Sequence, residues 1–271
     1  MRKPKLLFSR IKHFIYRFLL GKKTLTAYAS KYNAYFRFYT ADSVGRDIYY
    51  RSGVYSEDYI NNYLRDHVRF SPNDIILDIG ANIGWYSVTL HAPATAELYA
   101  FEPDPLNFHM LTENIRINGK DNVRAVNAAV GSSRGTMKLY RYRNYNRGRH
   151  SLIRQEKSVD YVEVPVITVD EFLKENGAGE RTIRFIKLDI EGFEWEALKG
   201  AEACLRRCEW MLTEFTPSLM KKIGQDPGAY IAWLKGFGFE IRQITEQGVS
   251  VADFDRIIAE DQQVNLLCWR K

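Results

Sequence analysis

Apolar and polar positions change their period several times along the chain, and each change marks an element. The sharpest change runs from Asp74 to Gly84, D-I-I-L-D-I-G-A-N-I-G. Ile75, Ile76, Leu77 and Ile79 make a short apolar run of the kind a strand buried on both faces of a parallel sheet requires. Asp78 stands at the end of that run. Gly80, Asn82 and Gly84 crowd the turn after it, and Trp85-Tyr86-Ser87-Val88 reads as the start of a helix. Apolar runs or strict alternation predict further strands at 97–101, 122–130, 136–140, 161–167, 183–188 and 208–214. Helices are predicted at 105–118, stopped by Gly119, from Thr168 onward with Asp170 near the cap, and at 230–234, ended by Gly236. Residues 239–242 and 264–269 are expected to close the sheet as a hairpin-like pair. Strands alternating with helices predict an α/β fold, with seven strands in a mostly parallel sheet and helices on both faces.

Two segments precede this alternation. In residues 24–70 aromatics dominate, with short strands expected at 36–39 and 48–50 and a helix capped by Ser56 running to Arg65. Core filling is the expectation for most of these rings. At about 100° per residue, Leu7, Phe8, Ile11, Phe14, Ile15, Phe18 and Leu19 fall on one arc of roughly 140°. The chain thus divides into an N-terminal extension, 1–70, and a main domain, 71–271, carrying an insertion at about 136–167.

Charge sharpens the picture of the extension. Of 39 Lys and Arg, eight lie within residues 1–23, where there is no acid; the other 31 face 33 Asp and Glu, a net of −2. No apolar run approaches the length of a bilayer span, and the continuous apolar core of a signal peptide is missing. Residues 1–23 therefore read as a helix lying on an anionic membrane surface, or as a helix packed on the protein's own core. The acid-free run of cations favours the membrane, and with it a cytoplasmic protein peripheral to the inner face. Three cysteines, Cys204, Cys208 and Cys268, lack zinc spacing and read as buried thiols in a reducing compartment.

The glycine turn carries the chemistry. Gly80 and Gly84 are four apart and Asn82 stands where a dinucleotide fingerprint needs its middle glycine. Asp78 would repel a pyrophosphate and suits a ligand with an ammonium group. The pattern D-x-G-x-x-x-G resembles motif I of class I S-adenosylmethionine-dependent methyltransferases, and D-I-G-A-N-I-G-W-Y-S resembles the FkbM family of these enzymes. A second string, K-L-D-I-E-G-F-E-W-E-A-L-K-G at 187–200, resembles that family too, and the likeness covers roughly residues 74–245. It implies a Rossmann-like class I methyltransferase fold with S-adenosylmethionine as cofactor. Glu102 lies 22 positions past Gly80, near the spacing at which a carboxylate meets a ribose diol, and the resemblance implies the same role. Asn127, Ala128 and Ala129 become candidates to meet the adenine.

Asp189 ends the strand expected beside the first, at the edge that faces the ligand crevice, and is a candidate for both donor binding and catalysis. Methyltransferases acting on planar amines usually carry N/D-P-P-Y there; D-I-E-G points to a hydroxyl acceptor. Asp189 or Glu191 would take the hydroxyl proton, with His150 and Glu214 next in line, although Glu191 also reads as a helix cap. Residues 140–151, Y-R-Y-R-N-Y-N-R-G-R-H-S, interleave Arg141, Arg143, Arg147 and Arg149 with Tyr140, Tyr142 and Tyr145. Such a mixture suits sugar hydroxyls, phosphates, uronic acids or stacked bases, and its placement between strands suits a substrate lid, or else a solvated loop. The expected activity is O-methylation, with no metal strictly required, of a sugar in a glycolipid or surface polysaccharide precursor, and no nucleic acid is expected as a partner. The alternatives are an NAD(P)-dependent oxidoreductase, which lacks both G-x-G-x-x-G and a Tyr-x-x-x-Lys pair, and a non-catalytic membrane or nucleic-acid binding module.

Overall fold

A computed structural model describes residues 3–142 and 150–270. Its centre is an eight-stranded sheet built from β3 (Ile75–Ile79), β4 (Glu97–Phe101), β5 (Val123–Val126), β9 (Ile183–Leu188), β10 (Cys208–Phe215), β11 (Glu240–Thr245), β12 (Gly248–Val251) and β13 (Val264–Trp269). Their order is β12-β11-β13-β10-β9-β3-β4-β5. The five strands from β10 to β5 run parallel, and β13, β11 and β12 add antiparallel partners. The first strand, β3, is buried at every position, as its Ile-rich run requires of a strand covered on both faces. Helices α5 (Pro105–Ile117), α6 (Val169–Glu175), α7 (Glu194–Lys199) and α10 (Pro227–Gly236) are among those that join the strands. Asp104, Thr168 and Asp226 cap three of them with side-chain oxygens that accept backbone N–H groups, and Pro105 and Pro227 follow two of the caps, where a missing N–H costs nothing.

Several expectations are corrected. The sheet has eight strands rather than seven, because β12 folds back on β11. Strands β11 and β13 are antiparallel neighbours, but α11 (Phe254–Ala259) and β12 separate them in the chain, so they form no hairpin. The strand expected at 122–130 is broken: β5 ends at Val126, and β6 (Ala129–Val130) joins a separate sheet. That sheet, ordered β6-β8-β7, contains β7 (Gly135–Tyr142) and β8 (Ser158–Ile167), and holds its own small core of Ala129, Leu139, Val164 and Val166. Arg143, Tyr145, Arg147 and Arg149 of the expected lid lie outside the described residues.

In the extension, β1 (Thr24–Ala29) pairs with β2 (Ala34–Tyr39), followed by α2 (Ser43–Tyr50) and α3 (Asp58–His67). Residues 48–50 end a helix and form no strand, since Asp42 accepts the Gly45 N–H and starts a helical turn ahead of them. The start of α3 falls to Glu57 and not Ser56, and no side chain caps it. Phe36, Phe38, Ile48, Ile60 and Leu64 are buried in one cluster with Ile76, Trp85 and Leu98 of the main sheet layer. Asn114 of α5 fastens the hairpin: its side chain donates to Arg37 O and Ile83 O at 3.0 and 2.8 Å and accepts the Arg37 N–H at 2.7 Å. At the start, α1 (Lys3–Phe14) continues as a π-helical turn over Ile15–Leu19. Among the described residues no helix is long and apolar enough to cross a membrane.

Candidate active site

At the carboxyl ends of β3, β4, β9 and β10 a cleft of about 340 Å³ opens, walled by the glycine turn, Glu102, Ala128, His150, Asp189 and Glu214 and, from the extension, by α2 and Glu57. The turn after β3 has one tight requirement. Gly80 has φ 78°, and a Cβ there would lie 1.9 Å from the carbonyl oxygen of Asp189. Only glycine lets β3 and the end of β9 approach this closely. Gly84, at φ 89°, faces the other way: its missing Cβ makes room for Leu111 of α5, and it does not line the cleft. The helix it opens, α4 (Trp85–Thr89), is only five residues long.

Glu102 is held ready. Its carboxylate accepts the Asn82 N–H at 2.8 Å and the Asp104 N–H at 2.9 Å, so the turn after β3 and the end of β4 meet on one side chain. Burial pushes its pKa up to about 7, and the nearby Asp104 charge adds to this against the two N–H bonds. Asn127 does not line the cleft; its amide donates to Glu102 O and Pro103 O at 2.8 and 3.1 Å and so braces the strand end, while Ala128 and Ala129 form the wall. Asp78 does not line the cleft either. Its carboxylate is buried, accepts from Ser87 Oγ at 2.6 Å and lies 3.7 Å from Lys187 Nζ. Register explains this: Asp78 of β3 lies beside Lys187 of β9, so the acid meets a cation of the chain itself.

Lys187 was not foreseen as a site residue. Its Nζ donates to Gly80 O at 2.6 Å and stands 3.7 Å from Asp189 Oδ2. Burial works against its charge, but Asp189, Asp78, Glu57 and Glu102 together outweigh burial and hold its pKa above the usual value. A lysine flanked by Ile186 and Leu188 inside a largely buried strand is the signal that could have found it, because a buried cation needs a partner.

On the other side of Lys187 the D-I-E-G turn gathers acids. Glu194 is buried, and its Oε1 accepts the N–H groups of Ile190 and Gly192 at 3.0 and 3.1 Å. Burial raises its pKa to about 7. Glu191 sits at the apex with φ 57°, and Ser151 Oγ donates to its carbonyl at 2.8 Å. The expected capping of a helix by Glu191 does not occur: Phe193 stands at the cap position of α7 with no side-chain cap, and Glu194 instead ties the turn ahead of it. Carboxylate oxygens of Asp189, Glu191 and Glu214 all lie within 4.8 Å of one another, and such a set offers the hard oxygen ligands a divalent cation takes. Desolvation, then the charges of Asp189, Glu191 and Glu194, hold Glu214 well above the carboxylate range. Gln263 and Thr216 donate to its two oxygens. His150 is set apart from this trio: its Nδ1 is 3.8 Å from Asp104 Oδ2, which also accepts from Arg141 at 3.0 Å.

Glu57, a second residue the sequence reading missed, reaches the cleft from the extension. Tyr86 Oη donates to its carboxylate at 3.1 Å. Burial raises its pKa to about 7, with the Asp189 charge adding to the rise. No periodic signal marks it, since it stands at a helix start among exposed polar residues.

A parallel sheet with this reversed antiparallel end, a glycine turn after the first strand and a buried acid at the end of the second define a class I methyltransferase. The chain belongs to the methyltransferase FkbM domain family, whose pattern it matches over residues 78–241. Among curated proteins it is similar to "Methyltransferase sdnD" of Sordaria araneosa, with 28% identity over 55% of this chain and 68% of that one. It is similar to "31-O-demethyl-FK506 methyltransferase FkbM" of Streptomyces tacrolimicus, at 25% over 66% of this chain and 77% of that one. It is also similar to "Hexuronic acid methyltransferase AglP" of Haloferax volcanii, at 26% over 52% and 56%. The crystal structure of methyltransferase FkbM from Methylobacillus flagellatus KT shares the fold, with a TM-score of 0.50 and 18% identity over 78% of this chain. The chain spans about half the length of that structure, 47% of it.

Proposed function

We propose that the chain is an S-adenosylmethionine-dependent O-methyltransferase. Its acceptor is a sugar hydroxyl in a glycolipid or surface polysaccharide precursor, reached from the cytoplasmic side of a membrane. The observation that carries this reading is the pairing, in one cleft, of the oriented Glu102 carboxylate with the acids of the D-I-E-G turn. Glu102 keeps lone pairs for two ribose hydroxyls while its backbone bonds fix its direction. The backbone of Gly80 gives a ligand close approach, and Ala128 and Ala129 leave a flat apolar wall for a base.

The donor, when bound, supplies a methyl group on a sulfonium. The acceptor oxygen displaces the sulfur: a C–O bond forms, the C–S bond breaks, and the hydroxyl proton leaves. Asp189 or Glu191 takes that proton, and the trio with Glu214 can spread it over neighbouring carboxylates. The chain's remaining task is to position the acceptor and exclude water. No planar slot of the N/D-P-P-Y kind stands at this turn, which supports a hydroxyl acceptor over a base. The relatives' names, one giving an O-demethyl compound and one a hexuronic acid, support the same class.

Calorimetry with S-adenosylhomocysteine and with NAD tests the donor, and a methyl-transfer screen against glycan and lipid extracts tests the acceptor. S-adenosylhomocysteine should bind and NAD should not; binding of NAD alone would return the oxidoreductase reading.

A further inference from the structure

The N-terminal helix is mounted the wrong way round for a helix that packs on a core. Among the described residues His13 is its one buried polar side chain: Nε2 donates to Thr40 O at 2.9 Å and Nδ1 accepts from Tyr50 Oη at 3.0 Å. Arg17 donates to the same Thr40 carbonyl at 3.3 Å. The exit of the helix is pinned to the same residue, since Thr40 donates its N–H to Lys23 O at 2.9 Å and its Oγ1 to Lys22 O at 3.0 Å. The side that carries His13 and Arg17 is therefore turned to the protein. The apolar side is turned to solvent: Leu7, Phe8, Phe18 and Leu19 are 60–69% exposed, and Phe14 and Ile11 at least half. Phe14 and Phe18 touch only along this outer face, with ring centroids 5.0 Å apart.

An exposed apolar face of this extent marks an interaction site, and its charge selects the occupant. Eight Lys and Arg with no acid lie within residues 1–23, and Arg10, Lys12, Lys22 and Lys23 are exposed. A second copy seated face to face would oppose these cations to their own kind. An anionic lipid surface offers both an apolar layer for the rings and counter-charges for the rim.

We propose that residues 6–20 dock on an anionic bilayer with the Phe8, Phe14 and Phe18 face inserted, held in that orientation by the His13 and Arg17 bonds to Thr40. Docking also places the cleft. Helix α2 takes His13 against Tyr49 and Tyr50 on one side and gives Ser43, Val44 and Asp47 to the cleft wall on the other. A seated α1 thus brings that wall beside the lipid headgroups, where a lipid-anchored acceptor would be presented; this purpose, though not the docking itself, rests on the methyl-transfer reading above.

Co-sedimentation of the full chain with vesicles is the test. Vesicles of about one third phosphatidylglycerol should retain the protein, and neutral phosphatidylcholine vesicles should bind it ~10-fold less. Raising salt from about 0.1 M to about 1 M should release it, as screening shortens from ~10 to ~3 Å. Phe14→Glu combined with Phe18→Glu should cut vesicle binding ~10-fold or more while the thermal melt and S-adenosylhomocysteine binding stay at wild-type values. Wild-type protein that ignores anionic vesicles overturns the docking, as does binding that the paired change leaves intact. A wild-type dimer split by the paired change overturns it in favour of a second copy. Vesicle binding without any S-adenosylhomocysteine binding sinks the methyl-donor reading and spares the docking.

Discussion

Two carboxylates of the candidate site, Glu102 and Glu194, are fixed by the backbone N–H groups they accept. Glu102 spends one lone pair per oxygen on the Asn82 and Asp104 N–H groups and keeps the others for a ligand. Glu102→Ala should therefore weaken S-adenosylhomocysteine binding by roughly 1–3 kcal/mol in calorimetry, since a charge-assisted pair is lost. An unchanged affinity in a folded variant would remove Glu102 from the donor site. Asp189→Asn and Glu191→Gln should lower methyl-transfer turnover at least ~10-fold with little change in donor affinity, the pattern of groups needed only in the transition state. Wild-type turnover in both would move the base to Glu214 or His150. Stability should carry the same acids' signature. Glu57, Glu102 and Glu194 have folded pKa values raised from 4.5 to about 7. Between those limits the folded chain holds protons the unfolded chain has released. The contribution is complete below about pH 4.5 and is lost as pH rises through about 7, roughly 3 kcal/mol per group for a rise of this size. Melting temperature should fall from pH 5 to pH 8, and Glu194→Gln, which keeps an acceptor for Ile190 and Gly192, should flatten that slope. Glu102 was legible because spacing from a glycine turn locates it. Glu57 and Lys187 were not, because one comes from a distant helix start and the other depends on which strand lies next to β3.

At the scale of elements, the close meeting of β3 and β9 is the feature that admits no slack. A Cβ on Gly80 would strike the Asp189 carbonyl at 1.9 Å, and the backbone there is in the left-handed region. Gly80→Ala should cost ~2–4 kcal/mol of stability and weaken donor binding together, because the same shift displaces Asp189 and opens the Lys187 bond to Gly80 O. Gly84→Ala shares the left-handed strain, at φ 89°, but its Cβ presses on a flexible Leu111 methyl at 2.8 Å rather than on backbone, so it should cost less; equal losses at the two sites in thermal melts would refute this account. The buried strands were legible from their apolar runs alone. Local pattern failed where tertiary pairing decided the outcome. The stretch 122–130 reads as one strand, yet the chain leaves the main sheet at Asn127, whose amide bonds back to Glu102 O, and Ala129 pairs with Val166 instead. Residues 48–50 look extended in isolation, but the Asp42 cap commits them to α2. Asp78 looked like a ligand contact because the sequence shows the acid and hides Lys187, 109 positions on, in the adjoining strand.

The main domain and the extension past residue 23 meet around one cleft, the helix before residue 23 stands outside its wall, and the three differ in how far the whole depends on them. The extension past residue 23 shares its core with the main sheet through Phe36, Phe38, Ile48, Ile60 and Leu64, all at most 1% exposed. It also delivers Glu57 and Asp47 to the cleft. Among the described residues the helix before residue 23 contributes one buried side chain, His13, and a few bonds at Thr40. The extension is thus proposed to be two units: a docking helix and a hairpin-and-helix layer folded with the enzyme. Deleting residues 1–23 should cost only ~1–3 kcal/mol, the value of a few hydrogen bonds at Thr40, and leave S-adenosylhomocysteine affinity within about twofold. Deleting residues 1–70 removes five large core side chains that each bury an apolar surface worth ~1.5–3 kcal/mol, a sum comparable to the whole stability of a typical domain. That shorter chain should fail to melt cooperatively and should bind no donor, although the 78–241 family region is intact in it. Calorimetric melts of the two deletions against the full chain decide the point. A cooperative transition with donor binding after loss of residues 1–70 would make the hairpin layer a separable domain. A collapse after loss of residues 1–23 alone would give α1 a folding role that its outward-facing phenylalanines do not suggest.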